Sequence, residues 1–147
     1  GKIEGVEFKG KIDCLNVEKG YFVDIKTTKS DIDSMVWVQD EASGRNIQVR
    51  WFEAWGYVLQ MAAYKKMLKE QYGKEFTPVI YAVTKESTPD TRAIVFQTQE
   101  KLGYELTELS MLIQRLDKVK RGEEKAKPCG HCEYCKSKAL SQRVEVI

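Results

Sequence analysis

Two aspartates, Asp13 and Asp24, lie in a segment whose pattern predicts a β-hairpin. Residues 11–16 and 21–26 alternate in character on either side of a short gap, Val17 to Gly20, which ends in a glycine. A hairpin symmetric about the centre of this gap places Asp13 opposite Asp24. Because like charges that face each other across a strand pair are destabilising, the arrangement needs a physical reason.

A divalent cation between the two carboxylates would remove this repulsion. Hard oxygen ligands suit Mg²⁺ or Mn²⁺, which also accept phosphate oxygens. Lys26 shares the face of Asp24, since strand side chains alternate, and its amine could orient or deprotonate a water. The opposite face is apolar and is predicted to meet the core; it carries Ile12, Cys14, Val23 and Ile25. The alternative interpretation is a surface strand whose charges simply face water.

Composition limits the possible classes of protein. The chain has 147 residues, 42% hydrophobic and 31% charged, as expected for one globular domain with a core. Its apolar runs are much shorter than the roughly 20 residues of a membrane span. The net charge of +2 does not by itself indicate a nucleic-acid partner. Lys and Arg outnumber acids between Arg115 and Arg143, which could favour phosphate but is also typical of a solvated helix face.

The elements that position these residues follow from periodicity. The pattern predicts a mixed α/β (α+β) domain with a central mixed sheet flanked by helices. Ser30 to Asn46 is polar and predicts a loop with a short helical turn near Met35. The predicted elements are a strand over residues 2–8, the hairpin strands 11–16 and 21–26, a helix over 48–72 ended by Gly73, strands over 77–84 and 91–98, and a helix over 98–120.

The first long helix is amphipathic, with an apolar stripe over Phe52, Trp55, Val58, Leu59, Ala62, Ala63 and Met67. The second predicted helix carries Leu102, Leu106, Leu109, Leu112, Ile113, Leu116 and Val119 on one stripe. Gln60 and Tyr64 stand four residues apart on the first helix, so they share a face. They follow, in order, a Gly-x-x-Asp motif at residues 10–13 and an Asp-x-Lys motif at residues 24–26.

This order of motifs resembles the PD-(D/E)XK nuclease superfamily, and in particular its RecB/RecE-like branch of exonuclease VIII-type phage and prophage exonucleases. The resemblance implies a restriction-endonuclease-like core. It also implies Mg²⁺ (or Mn²⁺) bound by Asp13, Asp24 and the backbone carbonyl of Ile25, with Lys26 as the catalytic lysine. Gln60 and Tyr64 would brace the site and contact the DNA strand being cut, and Gly10 would leave space beside the metal.

The resemblance further implies a metal-dependent exodeoxyribonuclease that hydrolyses linear double-stranded DNA in phage-type recombination. Its partners would be DNA, a single-strand-annealing protein and further copies in a ring, inside the bacterial cytoplasm and away from membranes. Three alternatives stay open. They are an endonuclease or repair nuclease of the same fold, a catalytically inactive DNA-binding module, and a plain zinc-binding interaction domain, which would leave the aspartates unexplained.

The resemblance divides the chain into a nuclease core over residues 1–125 and a Cys-rich basic tail over residues 126–147. In this branch a helix that carries an acid or a His precedes the first strand, whereas this chain opens within that strand. Glu4 and Glu7 do not match the pattern. We therefore expect either a trimmed chain or a degenerate relative.

Three cysteines in the tail have the spacing of metal ligands. Cys129, Cys132 and Cys135 form C-x₂-C-x₂-C beside Gly130. Some RecB-like nucleases bind an iron–sulfur cluster with one early and three late cysteines, although their last gap is usually longer. Zinc, an iron–sulfur cluster and a remnant with free thiols remain alternatives. A disulfide is not expected in a reducing cytosol.

The sequence does not identify a fourth ligand for these cysteines. His131, the only histidine of the chain, and a cysteine that precedes the chain are the two candidates. Cys14 is predicted to face the core and therefore to be unsuitable. A single histidine also excludes a His-rich metal site or a histidine-based catalytic dyad.

Overall fold

The computed structural model describes residues 1–29, 31–40, 43–130 and 132–139. Contacts divide the chain into two compact units, Gly1–Gln114 and Arg115–Ile147. In chain order the elements are β1 (Lys2–Ile3), β2 (Val6–Glu7), β3 (Cys14–Asn16), β4 (Tyr21–Thr28), β5 (Met35–Gln39), β6 (Asn46–Arg50), α1 (Trp51–Ala54), α2 (Tyr57–Tyr72), β7 (Thr77–Thr84), β8 (Thr91–Val95), α3 (Gln99–Lys120) and α4 (Glu133–Ala139).

A four-stranded mixed sheet in the order β3-β4-β7-β8 forms the centre of the first unit. Strands β4 and β7 are parallel, and the outer strands are antiparallel to their neighbours. The predicted hairpin register is confirmed for residues 14–16, because Cys14 pairs with Val23 and Asn16 pairs with Tyr21, whereas Asp13 lies just before β3 and is not part of the ladder. Gly20 closes the turn with a φ of 69°, a left-handed conformation that glycine adopts without strain. The mixed α/β fold class is therefore correct.

The prediction of which hairpin face meets the core is wrong. Phe22 and Asp24 are the buried residues of β4, whereas Ile25 is 55% exposed and Cys14 is also exposed. Ile12 and Val23 are only partly buried. Alternation identifies the residues that share a face, but it does not say which face a helix covers. Helix α2 covers the face of Phe22, whose ring centroid lies 6.3 Å from that of Tyr64.

The predicted helix over residues 48–72 is wrong for residues 48–50, which belong to β6, and its remainder is two helices, α1 and α2. Gly56, with a φ of 67°, separates them in a left-handed conformation. Trp55, predicted to be part of the apolar stripe, lies at this break and is 67% exposed. Gly73 ends α2 as predicted, also with a positive φ.

Strands β5 and β6 form an antiparallel hairpin where the sequence predicted a polar loop, a helical turn near Met35 and, from residue 48, the start of a helix. The pairing runs from Met35 opposite Arg50 to Gln39 opposite Asn46. The hairpin leads into α1, and the buried indole of Trp51 donates to the carbonyl of Ile32 over 2.9 Å. This bond holds the base of the hairpin to the core.

The first predicted strand is a two-stranded hairpin, β1 and β2, that turns at Glu4 and Gly5.

The predicted apolar stripe of α3 is only partly buried. Leu102 and Ile113 are buried, but Leu112 and Leu116 are more than half exposed. In the described residues no helix is long and apolar enough to cross a membrane. The core between the sheet and the helices consists of Phe22, Ile32, Trp51, Phe52, Val58, Met61, Ala62, Leu68, Phe76, Ile80, Ala82 and Leu102.

Candidate active site

The end of the β3–β4 ladder shapes the position of Asp13. The last pair is Cys14 with Val23, so the backbone of Ile25 has no partner in β3. The carboxylate of Asp13 takes that place, and its Oδ2 accepts the N–H of Ile25 over 2.9 Å. In an extended strand the N–H and C=O of one residue point to the same side. The carbonyl of Ile25 therefore faces the same edge as Asp13.

Asp24 is buried beside Lys26 on the helix-covered face of β4. The Lys26 Nζ lies 2.6 Å from Asp24 Oδ2, and the two side chains are only 16% and 5% exposed. The Lys26 ammonium is thus the counter-charge of Oδ2, which accepts no hydrogen bond from the other described residues. The ion pair offsets the cost of burying this carboxylate. A divalent cation that binds Asp24 would share the carboxylate with Lys26.

Tyr57, at the first position of α2, is a site residue that the sequence interpretation missed. The Lys26 amine lies 4.4 Å from the centre of the Tyr57 ring, where the ring quadrupole attracts a cation. Lys26 is therefore held between a carboxylate and an aromatic face. The signal was present in the sequence, because Tyr57 precedes Gln60 by three residues and Tyr64 by seven and thus lies on the same helix face.

Gln60 and Tyr64 are brought together as their spacing predicted. The amide of Gln60 donates to the hydroxyl of Tyr64 over 3.0 Å, and both groups are partly buried. The ring of Tyr64 also lies against Gly10, where a Cβ atom would overlap the ring. Gly10 is thus required for packing against Tyr64. The sequence predicted that Gly10 leaves space beside a metal, whereas the structure shows that it leaves space for the Tyr64 ring.

An aromatic pocket of about 360 Å³ opens where β4 ends. Two of its lining residues, Trp55 and Tyr57, belong to the α1–α2 junction, and Lys29 contributes a positive charge. Trp37, on the neighbouring hairpin, is 66% exposed. The lining residues are Thr27, Thr28, Lys29, Ser34, Val36, Trp51, Trp55 and Tyr57.

Asp33 connects the base of this hairpin to the sheet. Its Oδ1 accepts from Arg92 over 2.7 Å and from Arg50 over 2.9 Å. The hydrogen bond from Arg92, followed by the charges of Arg92 and Arg50, lowers the pKa of the Asp33 carboxyl below its ordinary 3.8, against a smaller opposing effect of desolvation. Asp33, through its hydrogen bond and its charge, raises the pKa of the Arg92 guanidinium, and Asp90 and Asp31 add negative charge near Arg92 that raises it further.

A second, larger cleft of about 650 Å³ lies between β6, α1 and the start of α3. Glu53, Glu100 and Glu105 line it with a single cation, Lys101. Burial, and then the charges of Glu108 and Glu53, raise the pKa of Glu105. The excess of acids makes this cleft a poor site for a phosphate chain, in contrast to the aromatic pocket.

The cysteines of the second unit form a compact cluster in the loop before α4 and in its first turn. The Sγ atoms of Cys129, Cys132 and Cys135 all lie within 4.8 Å of one another. The N–H of Cys135 lowers the pKa of the Cys132 thiol, but the thiols of Cys129 and Cys135 outweigh it and raise that pKa. His131 lies outside the described residues, and Cys14 belongs to the first unit.

The fold and the first-unit site together define a class. A mixed sheet carries an acid, a second acid and a lysine at one strand edge, and a helix with a hydrogen-bonded Gln–Tyr pair covers it. This is the arrangement of a PD-(D/E)XK nuclease-like domain. The chain belongs to a family of PDDEXK-like domains of unknown function, DUF3799, whose family model matches residues 1–138.

A solved structure supports the same assignment. The chain is 28% identical to a protein from Eubacterium rectale described as "Putative exonuclease", with a TM-score of 0.77. The similarity covers 100% of this chain and 51% of that one, so the chain spans about half the length of this neighbour. No curated protein matches the sequence. The predicted PD-(D/E)XK nuclease-like domain is thus confirmed, and the findings support a nuclease.

Proposed function

We propose that this domain is a Mg²⁺- or Mn²⁺-dependent exodeoxyribonuclease that hydrolyses phosphodiester bonds of linear double-stranded DNA. The observation that carries the proposal is the pair of acids beside Ile25: Asp13 accepts the N–H of Ile25, and the buried Asp24, the residue before it, has Lys26 as its ion-pair partner. The PDDEXK-like family and the description of the E. rectale neighbour support a nuclease.

Asp13, Asp24 and the carbonyl of Ile25 are the groups that would hold the cation. Asp13 uses Oδ2 to accept the N–H of Ile25, and the buried carboxylate of Asp24 lies beside the Lys26 amine. A bound Mg²⁺ or Mn²⁺ supplies a Lewis acid for the phosphate and lowers the pKa of a water. Lys26 orients the attacking water and offers positive charge to the phosphate as negative charge develops on it.

Gln60 and Tyr64 position the strand that is cut. The Gln60–Tyr64 hydrogen bond fixes both side chains beside the sheet and leaves the second N–H of the amide for a phosphate oxygen. The tyrosine ring packs against Phe22, two residues before Asp24 on the same face of β4. This packing fixes the position of Gln60 and Tyr64 relative to the carboxylate of Asp24.

The aromatic pocket supports a nucleic-acid substrate. Aromatic rings beside cations bind single strands, because bases stack on the rings while phosphates meet the charges. Trp55, Tyr57 and Lys29 supply both kinds of group next to Lys26. In phage-type recombination, the single strand left by resection would pass to an annealing protein in the bacterial cytoplasm. A ring of copies would keep such an exonuclease on its DNA.

Cleavage of two forms of one DNA tests this function. End-labelled linear duplex and closed circular duplex are incubated with Mg²⁺, Mn²⁺ or EDTA and the wild-type chain, Lys26→Ala or Lys66→Ala. Lys66 is exposed on α2 and serves as the matched lysine control. We expect metal-dependent loss of the linear form alone, abolished by Lys26→Ala and retained by Lys66→Ala.

The other outcomes identify the alternatives. Cleavage of the circular form would indicate an endonuclease of the same fold. DNA binding without cleavage under any metal would indicate an inactive DNA-binding module. Cleavage that persists in Lys26→Ala would contradict the proposed site.

A further inference from the structure

Phosphodiester hydrolysis at the first-unit site leaves the cysteine cluster of Cys129, Cys132 and Cys135 without a role. We propose that these three thiolates bind a single Zn²⁺ ion rather than an iron–sulfur cluster. The spacing C-x₂-C-x₂-C does not distinguish zinc from an iron–sulfur cluster, because zinc sites use C-x₂-C pairs and ferredoxin-type clusters use the full pattern. The distances between the sulfur atoms do distinguish them.

The sulfurs are spaced as they are around one small ion. The Sγ atoms of Cys129 and Cys135 lie 3.7 Å apart, and all three lie within 4.8 Å of one another. Thiolates on one tetrahedral Zn²⁺, with bonds of about 2.3 Å, have sulfurs about 3.8 Å apart. In a [4Fe–4S] cluster each cysteine binds a different iron, so the width of the cluster holds the sulfurs further apart. The cysteines therefore fit one ion and do not fit a cluster.

Backbone donors hold the sulfurs in this arrangement. The N–H of Cys132 donates to Cys129 Sγ over 3.3 Å, and the N–H of Cys135 donates to Cys132 Sγ over 3.4 Å. Such bonds orient thiolate ligands and offset their negative charge. A disulfide does not account for the arrangement, because 3.7 Å is far longer than an S–S bond of about 2.05 Å.

The described residues around the cysteine cluster, between 121 and 138, have no hydrophobic core that could stabilise their fold. From residue 121 to 138, the described residues include no buried side chain, and only Glu124 and Cys135 are even partly buried. Helix α4 has seven residues, too few to be stable alone in water. The free energy of zinc binding is folding free energy in such segments. The ion therefore anchors α4, and three thiolates leave one position of its tetrahedron for a water or another ligand.

Metal analysis of the whole chain tests this proposal independently of any activity. The protein is purified both in air and under anaerobic conditions, and zinc, iron and acid-labile sulfide are measured. We expect about one zinc per chain and no iron or sulfide in either preparation. Replacing zinc by Co²⁺ should produce the visible bands of a tetrahedral site and a near-ultraviolet thiolate-to-cobalt band. Removing the zinc should expose the amides of α4 to rapid hydrogen exchange while those of β4 and β7 stay protected.

Single serine variants provide the matched comparison. Cys129→Ser, Cys132→Ser and Cys135→Ser should each reduce the zinc content to near zero. Cys14→Ser, at the remaining cysteine of the chain, should keep it. Iron and sulfide in the anaerobic preparation would overturn the proposal in favour of a cluster. Four freely titrating thiols with no bound metal in the wild-type chain would overturn it as well.

Discussion

The two candidate metal sites hold like-charged groups together in different ways. In the first unit, Asp24 lies on β4 within the four-stranded sheet, its carboxylate pairs with Lys26, and the Lys26 amine also meets the Tyr57 ring. In the second unit, the cysteines lie in a segment, residues 121–138, in which no described side chain is buried. The hydrophobic core supports the first site whether or not a cation binds. The second site depends on its ion for its structure.

This difference indicates a catalytic role for the cation of the first unit and a structural role for that of the second. A site that the fold builds in advance can bind and release a hard cation together with its phosphate substrate, as catalysis requires. A site that exists only with its ion suits a soft thiolate ligand set and a permanently bound zinc. Changes in the first unit should therefore alter cleavage without altering zinc content.

The largest expected effect comes from Asp24→Asn, which removes a proposed ligand while keeping the shape of the side chain. Cleavage of linear DNA should fall by about 10³-fold, since several kcal/mol of charge stabilisation are lost. Zinc content should not change. Glu86→Gln, in the exposed turn between β7 and β8, is the control. An Asp24→Asn variant that still cuts at the wild-type rate would show that Asp24 is not part of the active site.

Gly10→Ala tests how closely the helix of the site packs on the chain before β3. The added methyl group would overlap the Tyr64 ring, so we expect a loss of about 1–3 kcal/mol in unfolding free energy. Gly103→Ala, in the interior of α3 with no atom within 4 Å, should instead stabilise by about 0.5–1 kcal/mol. Urea denaturation of both variants measures the contrast, and equal effects of the same sign would refute this packing role.

Two substitutions at Tyr57 separate the aromatic ring from its hydroxyl group. Tyr57→Phe keeps the ring under the Lys26 amine and should leave cleavage close to wild type. Tyr57→Leu removes the ring–cation attraction and should slow cleavage by about 2- to 30-fold. Single-turnover rates at saturating metal provide the measurement. A similar slowing in both variants would point to the hydroxyl group instead.

The smallest effect concerns acid stability at Asp33. Its folded-state pKa is lowered, so its ionised form stabilises the fold at pH values above the ordinary 3.8. This contribution disappears as the pH falls below 3.8 through the lowered folded-state pKa. Asp33→Asn should lose stability at neutral pH and show a weaker dependence on pH below 3.8. Parallel pH dependence in the two chains would show that Asp33 is not coupled to folding.

The sequence predicted the hairpin register and the Gln60–Tyr64 pairing because each depends on local geometry alone. It did not predict which face of β4 is buried, since Val23 and Ile25 are as apolar as a core requires. The tertiary position of α2 decides that question. The sequence did not predict the hairpin β5–β6, because the residues of its turn are polar and favour a loop. Val36 and Val38, two residues apart on β5, and Val49, between two polar residues on β6, nevertheless follow the alternation that is typical of strands.

The break at Gly56 shows a second limit of periodicity. Trp55 fits the helical stripe by position, yet the left-handed glycine after it turns the chain and leaves the indole exposed. This break also sets Tyr57 at the start of α2, where its ring meets Lys26. The residue that completes the site therefore depends on a backbone irregularity.

Mn²⁺ binding to the zinc-loaded protein, followed by electron paramagnetic resonance, tests the separation of the two sites most directly. Wild type, Asp24→Asn and Cys132→Ser are titrated in parallel, and zinc is measured in each. We expect Asp24→Asn to weaken Mn²⁺ binding by more than about tenfold and to keep its zinc. Cys132→Ser should lose its zinc and still bind Mn²⁺. Unchanged Mn²⁺ affinity in Asp24→Asn would contradict the claim that the buried carboxylate forms a cation site.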